Sequence, residues 1–166
     1  MLIGVNTWVW TSPLGDADIP ALAAKARGMG YGLEVEMIRA AAAMGVLTAP
    51  YVFTPEDAVA MTEAGADVLV PHMGLTTKGT IGAQTARTLD ECVRDIQAMR
   101  DAAVAVRPDV VVLCHGGPLA EPEDAQYVLD RTVGVVGFFG ASSMERLPTE
   151  VAMTENMRRF KALTPS

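Results

Sequence analysis

Two stretches of this chain decide its fold: VLVPHMG at residues 68–74 and VVVLCHGG at residues 110–117. Each is an apolar run, rich in β-branched residues, that stops at histidine and glycine, and together they hold both histidines of the chain. Such a run is typical of a strand buried on both faces, as in the parallel sheets of α/β proteins. In that class, ligands bind beyond the carboxyl ends of the strands. We therefore expect His72 and His115 to lie at a ligand site.

The composition describes a single globular domain. The chain has 166 residues, half of them apolar and a fifth charged, with a formal net charge of −7. This negative charge argues against nucleic acid or an anionic membrane surface as a partner. No leader pattern opens the chain, two cysteines are too few for a disulfide framework, and no apolar run reaches the length of a membrane span. We expect a cytoplasmic protein.

Strand and helix patterns alternate along the chain. Five strands are predicted, at residues 3–10, 47–53, 67–72, 110–114 and 133–139. Helices are predicted at residues 16–27, 34–44 and 55–64, the last with Thr54 as its N-cap. A capping box at Thr88 predicts a helix that buries Val93, Ile96, Met99 and Val104. Further helices are predicted after Pro122, and from Pro148 with Val151, Met157 and Phe160 on one side. Serial βα units of this kind require parallel pairing with right-handed crossovers. The prediction is one α/β domain with a parallel sheet of about five βα units, either a partial (β/α)8 barrel or an open flavodoxin-like sheet.

The loop after the third predicted strand, residues 72–82, is rich in glycine and hydroxyl groups. Its candidate ligand-binding residues are Thr76, Thr77 and Lys78. Glycines let backbone amides approach a ligand, and hydroxyls with one ammonium suit a phosphate or a carboxylate. The order of residues is not that of a P-loop. The alternative is an ordinary surface loop.

The loop after the fourth predicted strand begins at His115. If this side chain faces the mouth of the sheet, it is a candidate general acid, general base or hydrogen-bond donor. Gly116 and Gly117 are candidate anion-binding residues. Because side chains alternate along a strand, Cys114 cannot face the same pocket, and it is assigned to the core. The alternative for His115 is a structural histidine at a strand end.

The third candidate loop has the sequence GASSMER at residues 140–146. Ser142, Ser143 and Arg146 could bind an anion before a helix N-terminus, and Glu145 is a further candidate catalytic residue. The alternative is a helix cap with a solvated Glu145 and Arg146. No metal site is predicted because the two histidines lack a ligand spacing. The cofactor is left open, a divalent metal included.

Several long motifs resemble one known family. They are GYGLEVEMI at residues 30–38, TAPYVF at 48–53, the loop at 72–82, LCHGGP at 113–118 and GASSMERLP at 140–148. Together they are similar to the phosphoenolpyruvate hydrolase-like family, whose TIM barrel also forms the C-terminal domain of plant tobamovirus-resistance proteins. The resemblance covers residues 28–162 and implies strands five to eight of that barrel. Two positions depart from it, with Val136 in place of an expected histidine and Lys78 in place of an expected glycine.

The front of the chain resembles a different family. Residues 3–14 and the helix to Arg27 are similar to the opening βα unit of the sugar-phosphate isomerase/epimerase, or xylose isomerase-like, family. That family uses a divalent metal, but none of its ligands can be matched in this chain. The resemblance implies a chimera with a junction near Gly28.

The predicted function is that of a half-barrel with an anion pocket at the strand ends. The family implies phosphoenolpyruvate or oxoacid-type substrates, and we expect a small anionic metabolite as ligand, little activity of this chain alone, and a homo-oligomer. One alternative is an active lyase or hydrolase in which His115 or His72 moves a proton. Another is a self-associating scaffold without a catalytic role.

Overall fold

The computed structural model describes residues 32–79, 82–83 and 87–164. The predicted strand at residues 3–10 and the helix at residues 16–27 lie outside the described residues. In chain order the elements are α1 (Gly32–Ala43), β1 (Tyr51–Val52), α2 (Pro55–Glu63), β2 (Val68–Pro71), α3 (Leu89–Val106), β3 (Val111–Cys114), α4 (Pro122–Leu129), β4 (Gly137–Phe138) and α5 (Arg146–Lys161). This alternation confirms the α/β class.

The four described strands form one parallel sheet in the order β1-β2-β3-β4. Tyr51 pairs with Val70, Val68 with Val111, and Leu113 with Gly137. Each strand thus lies beside its neighbour in the chain, and a helix connects each pair, as parallel pairing requires. This sequential order is that of a partial barrel, whereas a flavodoxin-like sheet places its first strand between the second and the third.

The outer strands are shorter than the sequence predicts. β1 and β4 have two residues each, against predictions of residues 47–53 and 133–139. Before β1, the backbone N–H of Thr48 donates to the carboxylate of Asp67 at 2.9 Å. Before β4, the N–H of Val133 donates to the side chain of Gln97, and Gly134 turns the chain at φ +75°. The ladder is thus incomplete rather than absent. The oxygens of Thr48 and Pro50 accept from the N–H groups of Val68 and Val70, and the N–H of Val136 donates to the oxygen of Val112, but Pro50 has no N–H to donate in return.

Two helices begin at the caps that the sequence predicts. The Thr54 hydroxyl accepts from the backbone N–H of Asp57 ahead of α2, and Thr88 does the same with Glu91 ahead of α3. In both cases the acidic side chain accepts in return from the N–H of the threonine. Such reciprocal bonds satisfy donors that a helix start leaves without partners.

The core lies between the sheet and helices α2 and α3. It includes Leu69 and Val112 from the strands with Met61, Ile96 and Met99 from the helices. The predicted face of α3 is confirmed at Ile96 and Met99, while Val93 and Val104 are partly buried. Helix α5 begins at Arg146, two residues before the predicted start at Pro148, and its Val151, Met157 and Phe160 are exposed.

The strands present a second set of side chains on the face away from this core. Val52, Leu69, Val112 and Cys114 belong to the core cluster. Since strand side chains alternate between faces, Tyr51, Val70, His72, Leu113 and His115 lie on the opposite face. In a barrel this is the inner face. Both histidines therefore lie at the carboxyl end of the inner face.

Candidate functional site

The structure brings His72 and His115 together. The pairing of β2 with β3 continues one step beyond the strands, in an isolated bridge between these two residues. Their ring centroids are 5.0 Å apart, with an interplanar angle of 70°. Two histidines that are far apart in the sequence thus form one pair at the strand ends.

Aromatic rings surround the pair. The Tyr51 ring stacks on that of His115, at 5.0 Å between centroids and 4° between planes, and it meets His72 edge-on at 4.8 Å. Phe139 contacts His115 edge-on at 5.6 Å, and Phe53 lies 5.4 Å from His72. Sequence reasoning did not select Tyr51, Phe53 or Phe139. Their places at the ends of predicted strands, at the same sheet edge as the histidines, are the signal that points to them.

The Nδ1 atoms of the two rings have opposite hydrogen-bonding roles. Nδ1 of His115 lies 2.7 Å from the backbone oxygen of Phe139. A carbonyl oxygen only accepts, so in the neutral ring Nδ1 carries the proton and Nε2 carries a lone pair. Nδ1 of His72 instead accepts the backbone N–H of Gly74 at 3.1 Å, so its neutral ring carries the proton on Nε2. The pair therefore offers one Nε2 donor and one Nε2 acceptor.

The environment of both imidazoles favours the neutral form. Burial lowers the pKa of His72 below its usual 6.5, and the charge of His115 lowers that pKa further. Burial also lowers the pKa of His115, although the bond to the Phe139 carbonyl works in the opposite direction. Neither Nε2 atom has a hydrogen-bond partner among the residues that the structure describes. At neutral pH the pair therefore offers an uncharged donor and an uncharged acceptor to a ligand.

Two glycines allow the loops after β2 and β3 to pack closely. Gly116 and Gly117 have φ values of +79° and +61°, in the region that favours glycine. A Cβ on Gly117 would lie 2.3 Å from the carbonyl oxygen of Met73. The N–H of Gly117 donates to the oxygen of Gly74 at 2.7 Å. These glycines therefore hold the two histidine loops together, and the amide of Gly117 is already used.

The two candidate cations tie neighbouring loops together. Lys78 Nζ lies 3.0 Å from Oδ2 of Asp124 and 4.0 Å from Oε1 of Glu121. Arg146 pairs with Glu150 at 2.8 Å and donates to the backbone oxygen of Lys78 at 3.0 Å. The positive charges of both residues are thus opposed by carboxylates of the chain itself.

Among the described residues, the candidate hydroxyls have no such partners. Thr76, Thr77, Ser142 and Ser143 are half-buried, and their side chains make no hydrogen bond to any residue within the described ranges. The loop of Thr77 is attached to that of His115, since the N–H of Thr77 donates to the oxygen of Gly117 at 3.3 Å. Glu145 is exposed at the N-cap of α5 and makes no side-chain cap bond. Val136, where the family resemblance leads one to expect histidine, is also exposed.

The cysteines belong to the core. Cys92 and Cys114 are buried free thiols, and burial raises the pKa of each to about 11. No group of three His, Cys, Asp or Glu side chains that could hold a metal ion occurs among the described residues. None of the helices in the described part of the chain is long and apolar enough to cross a membrane.

Comparisons with known proteins give a family and three relatives. Residues 16–163 match the family model described as phosphoenolpyruvate hydrolase-like. The "ToMV resistance protein Tm-1(GCR237)" and the "ToMV susceptible protein tm-1(GCR26)" of Solanum lycopersicum are each 61% identical over 137 residues, which is 82% of this chain and 18% of either relative. The "Putative transcriptional regulatory protein y4pA" of Sinorhizobium fredii is 29% identical over 136 residues, 82% of this chain and 22% of that protein. The chain thus spans about a fifth of the length of these relatives.

The family match begins earlier than the expected junction. It starts at residue 16 and so includes the predicted helix at residues 16–27. The resemblance of the front to the isomerase/epimerase family, and the chimera that it implies, remain predictions.

Proposed function

The chain belongs to the phosphoenolpyruvate hydrolase-like family, and from this premise we propose that its strand ends bind a small oxoacid or the phosphate ester of its enol. In this proposal His72 and His115 move a proton on the bound ligand. The observation that carries it is the opposite use of the two Nδ1 atoms, which gives one Nε2 donor beside one Nε2 acceptor.

The proposed chemistry is proton abstraction next to a carbonyl group. Nε2 of His115 takes a proton from the carbon adjacent to the ligand carbonyl, and the electron pair of that C–H bond moves to form the enolate. Nε2–H of His72 donates a hydrogen bond to the enolate oxygen. A neutral imidazole is a suitable donor at this place, because its proton stays on the ring while the oxygen becomes negative. The reverse step returns the proton from the His115 imidazolium, so no oxidant or reductant is needed.

Uncharged groups are proposed to hold the anionic part of the ligand. The hydroxyls of Thr76, Thr77, Ser142 and Ser143, which make no hydrogen bond within the described ranges, supply donors, and so do the amides of Ser142 and Ser143 ahead of α5. Lys78 and Arg146 keep the loops in place, since carboxylates of the chain oppose their charges. Gly116 and Gly117 also keep the loops in place, because their backbone packs closely against the loop after β2.

Net hydrolysis is expected to be slow in this chain alone. The described sheet has four strands, whereas a closed barrel of this type has eight and draws catalytic groups from the ends of several of them. We expect ligand binding and proton exchange to exceed the release of phosphate from phosphoenolpyruvate.

The test measures exchange of the methyl protons of pyruvate in D2O by ¹H NMR, with the full chain as catalyst. His115→Asn is the decisive variant, because the amide of asparagine still donates to the Phe139 carbonyl while Nε2 is lost. Exchange should fall roughly a hundredfold or more, with pyruvate binding nearly unchanged. His72→Asn keeps an acceptor for the N–H of Gly74 and removes the Nε2 donor, so both exchange and binding should weaken.

Two results would overturn the proposal. One is a full chain that neither binds pyruvate nor speeds the exchange, which would favour a scaffold role. The other is exchange at the wild-type rate in His115→Asn.

A further inference from the structure

Tyr51 contacts both imidazoles of the histidine pair. It lies on β1, which β2 separates from β3, yet its ring lies face to face with that of His115, at 5.0 Å between centroids and 4° between planes. The same ring meets that of His72 edge-on, at 4.8 Å and 68°. Phe53 contacts only His72, and Phe139 contacts only His115. Among the aromatic residues that the structure describes, Tyr51 is thus the one that contacts both histidines.

The hydrogen bond at Nδ1 does not by itself fix the plane of the His115 ring. Nδ1 is held 2.7 Å from the backbone oxygen of Phe139. A ring held only at its Cβ bond and at Nδ1 can still rock, and the lone pair of Nε2, which lies in the ring plane, rocks with it. The Tyr51 ring is parallel to that plane and in contact with it, so it opposes this motion.

The same contact suits the charge that forms on His115 during the proposed reaction. When Nε2 takes a proton from the ligand, the imidazole becomes a cation. A cation within about 6 Å of the centroid of an aromatic face is attracted by that face, and the Tyr51 ring lies 5.0 Å away. Burial raises the pKa of Tyr51 above its usual 10, so the phenol is neutral at neutral pH. The imidazolium therefore meets an aromatic face rather than a phenolate.

We propose that Tyr51 is the positioning residue of the histidine pair. Its ring holds the His115 imidazole in the plane that directs Nε2 toward the ligand, and it stabilises the imidazolium that forms there. This inference rests on the proposed proton transfer at His115. The hydroxyl of Tyr51 makes no hydrogen bond to a residue within the described ranges, so the role belongs to the ring, and phenylalanine should replace tyrosine.

Two substitutions of Tyr51 separate the ring from the hydroxyl. Tyr51→Phe keeps the ring and should exchange the methyl protons of pyruvate in D2O at the wild-type rate. Tyr51→Leu keeps an apolar side chain but removes the aromatic face, so kcat for exchange should fall roughly tenfold while KM stays nearly constant. A rise in KM with an unchanged kcat would contradict a positioning role.

A measurement that does not depend on activity separates this inference from the proposed function. NMR of the ¹⁵N-labelled full chain reports the tautomer of His115 and the rate at which its Nδ1 proton exchanges with water. In Tyr51→Leu that proton should exchange roughly tenfold faster, since the ring leaves the Phe139 carbonyl more often, and a second tautomer should appear. Tyr51→Phe should resemble the wild type. Phe53→Leu, which removes a ring beside His72 alone, is the matched control and should leave the His115 signals unchanged.

The two measurements fail in different ways. A single tautomer with slow Nδ1 exchange in Tyr51→Leu would overturn the positioning role, whatever happens to pyruvate. If the wild type does not exchange pyruvate protons but Tyr51→Leu frees the His115 ring, the proposed function fails and the restraint of the ring by Tyr51 stands. Circular dichroism checks the helix content of each variant, and Tyr51→Met takes the place of Tyr51→Leu if leucine disrupts folding.

Discussion

His72 and His115 stand side by side across two parallel strands, 5.0 Å apart between ring centroids, and use their Nδ1 atoms in opposite senses. His72 accepts a backbone N–H there, and His115 donates to a backbone oxygen. The backbone, rather than a side-chain acid or base, therefore selects both tautomers. This arrangement keeps an Nε2 donor beside an Nε2 acceptor without any charge on either ring.

The stability of the fold should fall as the pH drops below about 6.5. Burial lowers the pKa of both histidines in the folded chain, so the unfolded chain binds protons first. The free energy of unfolding, measured with urea between about pH 7.5 and pH 5.5, should decrease toward the acid side. The double variant His72→Asn with His115→Asn should show a weaker dependence. A wild-type stability that is constant or rises over this interval would contradict the lowered pKa values.

Substitution of Gly117 by alanine should lower the free energy of unfolding more than the same substitution at a glycine that also has a positive φ but no atoms near an added Cβ. Gly45 has φ +70° and nothing within 4 Å of an added Cβ, so Gly45→Ala should cost only the left-handed strain of about 1 kcal/mol. In Gly117→Ala the added carbon also meets the Met73 oxygen, so the loss should be about 3 kcal/mol or more. Urea unfolding measures both losses. Equal losses for the two variants would show that the loops after β2 and β3 move apart with little loss of stability.

Removal of the Lys78 charge should raise the pKa of Asp124. Burial opposes ionisation of this carboxyl, but the hydrogen bond from Lys78 and the N–H groups of Glu121 and Ala120 lower its pKa overall. Lys78→Met removes the ammonium and keeps the side-chain stem. Titration of the Asp124 carboxyl carbon by NMR should then give a higher pKa. Glu121→Gln, at the longer distance of 4.0 Å from the ammonium, should change that titration less.

Both thiols should be slow toward alkylating reagents in the folded chain. Cys92 and Cys114 are buried, and burial raises the pKa of each to about 11, so little thiolate forms at neutral pH. Reaction with iodoacetamide followed by mass spectrometry should label them quickly only in denaturant. Rapid labelling of Cys114 in the native chain would mean that the core opens to solvent at the carboxyl end of β3.

The sequence predicts those helix starts and strands that depend on residues close together in the chain. Thr54 and Thr88 each precede an acidic residue by three positions, and both form the caps that this spacing indicates. The apolar runs that end at His72 and His115 become the two central strands. These features depend on neighbours within a few residues, which a single sequence shows directly.

Partners that are distant in the chain account for what the sequence did not predict. Lys78 meets Asp124 across 46 positions, and Arg146 meets the backbone of Lys78 across 68. The N–H of Thr48 donates to the side chain of Asp67 across 19 positions rather than to the backbone of β2. The Phe139 carbonyl fixes the tautomer of His115 from another strand end. Such contacts follow from the tertiary fold and leave no pattern in the local sequence.

The most direct test of the histidine pair is ¹⁵N NMR of the imidazole nitrogens in the full chain at neutral pH. His72 should show a protonated Nε2 with an unprotonated Nδ1, and His115 should show the reverse. His72→Asn and His115→Asn assign the signals. The same tautomer in both rings, or a charged ring at neutral pH, would contradict the opposite roles of the two Nε2 atoms.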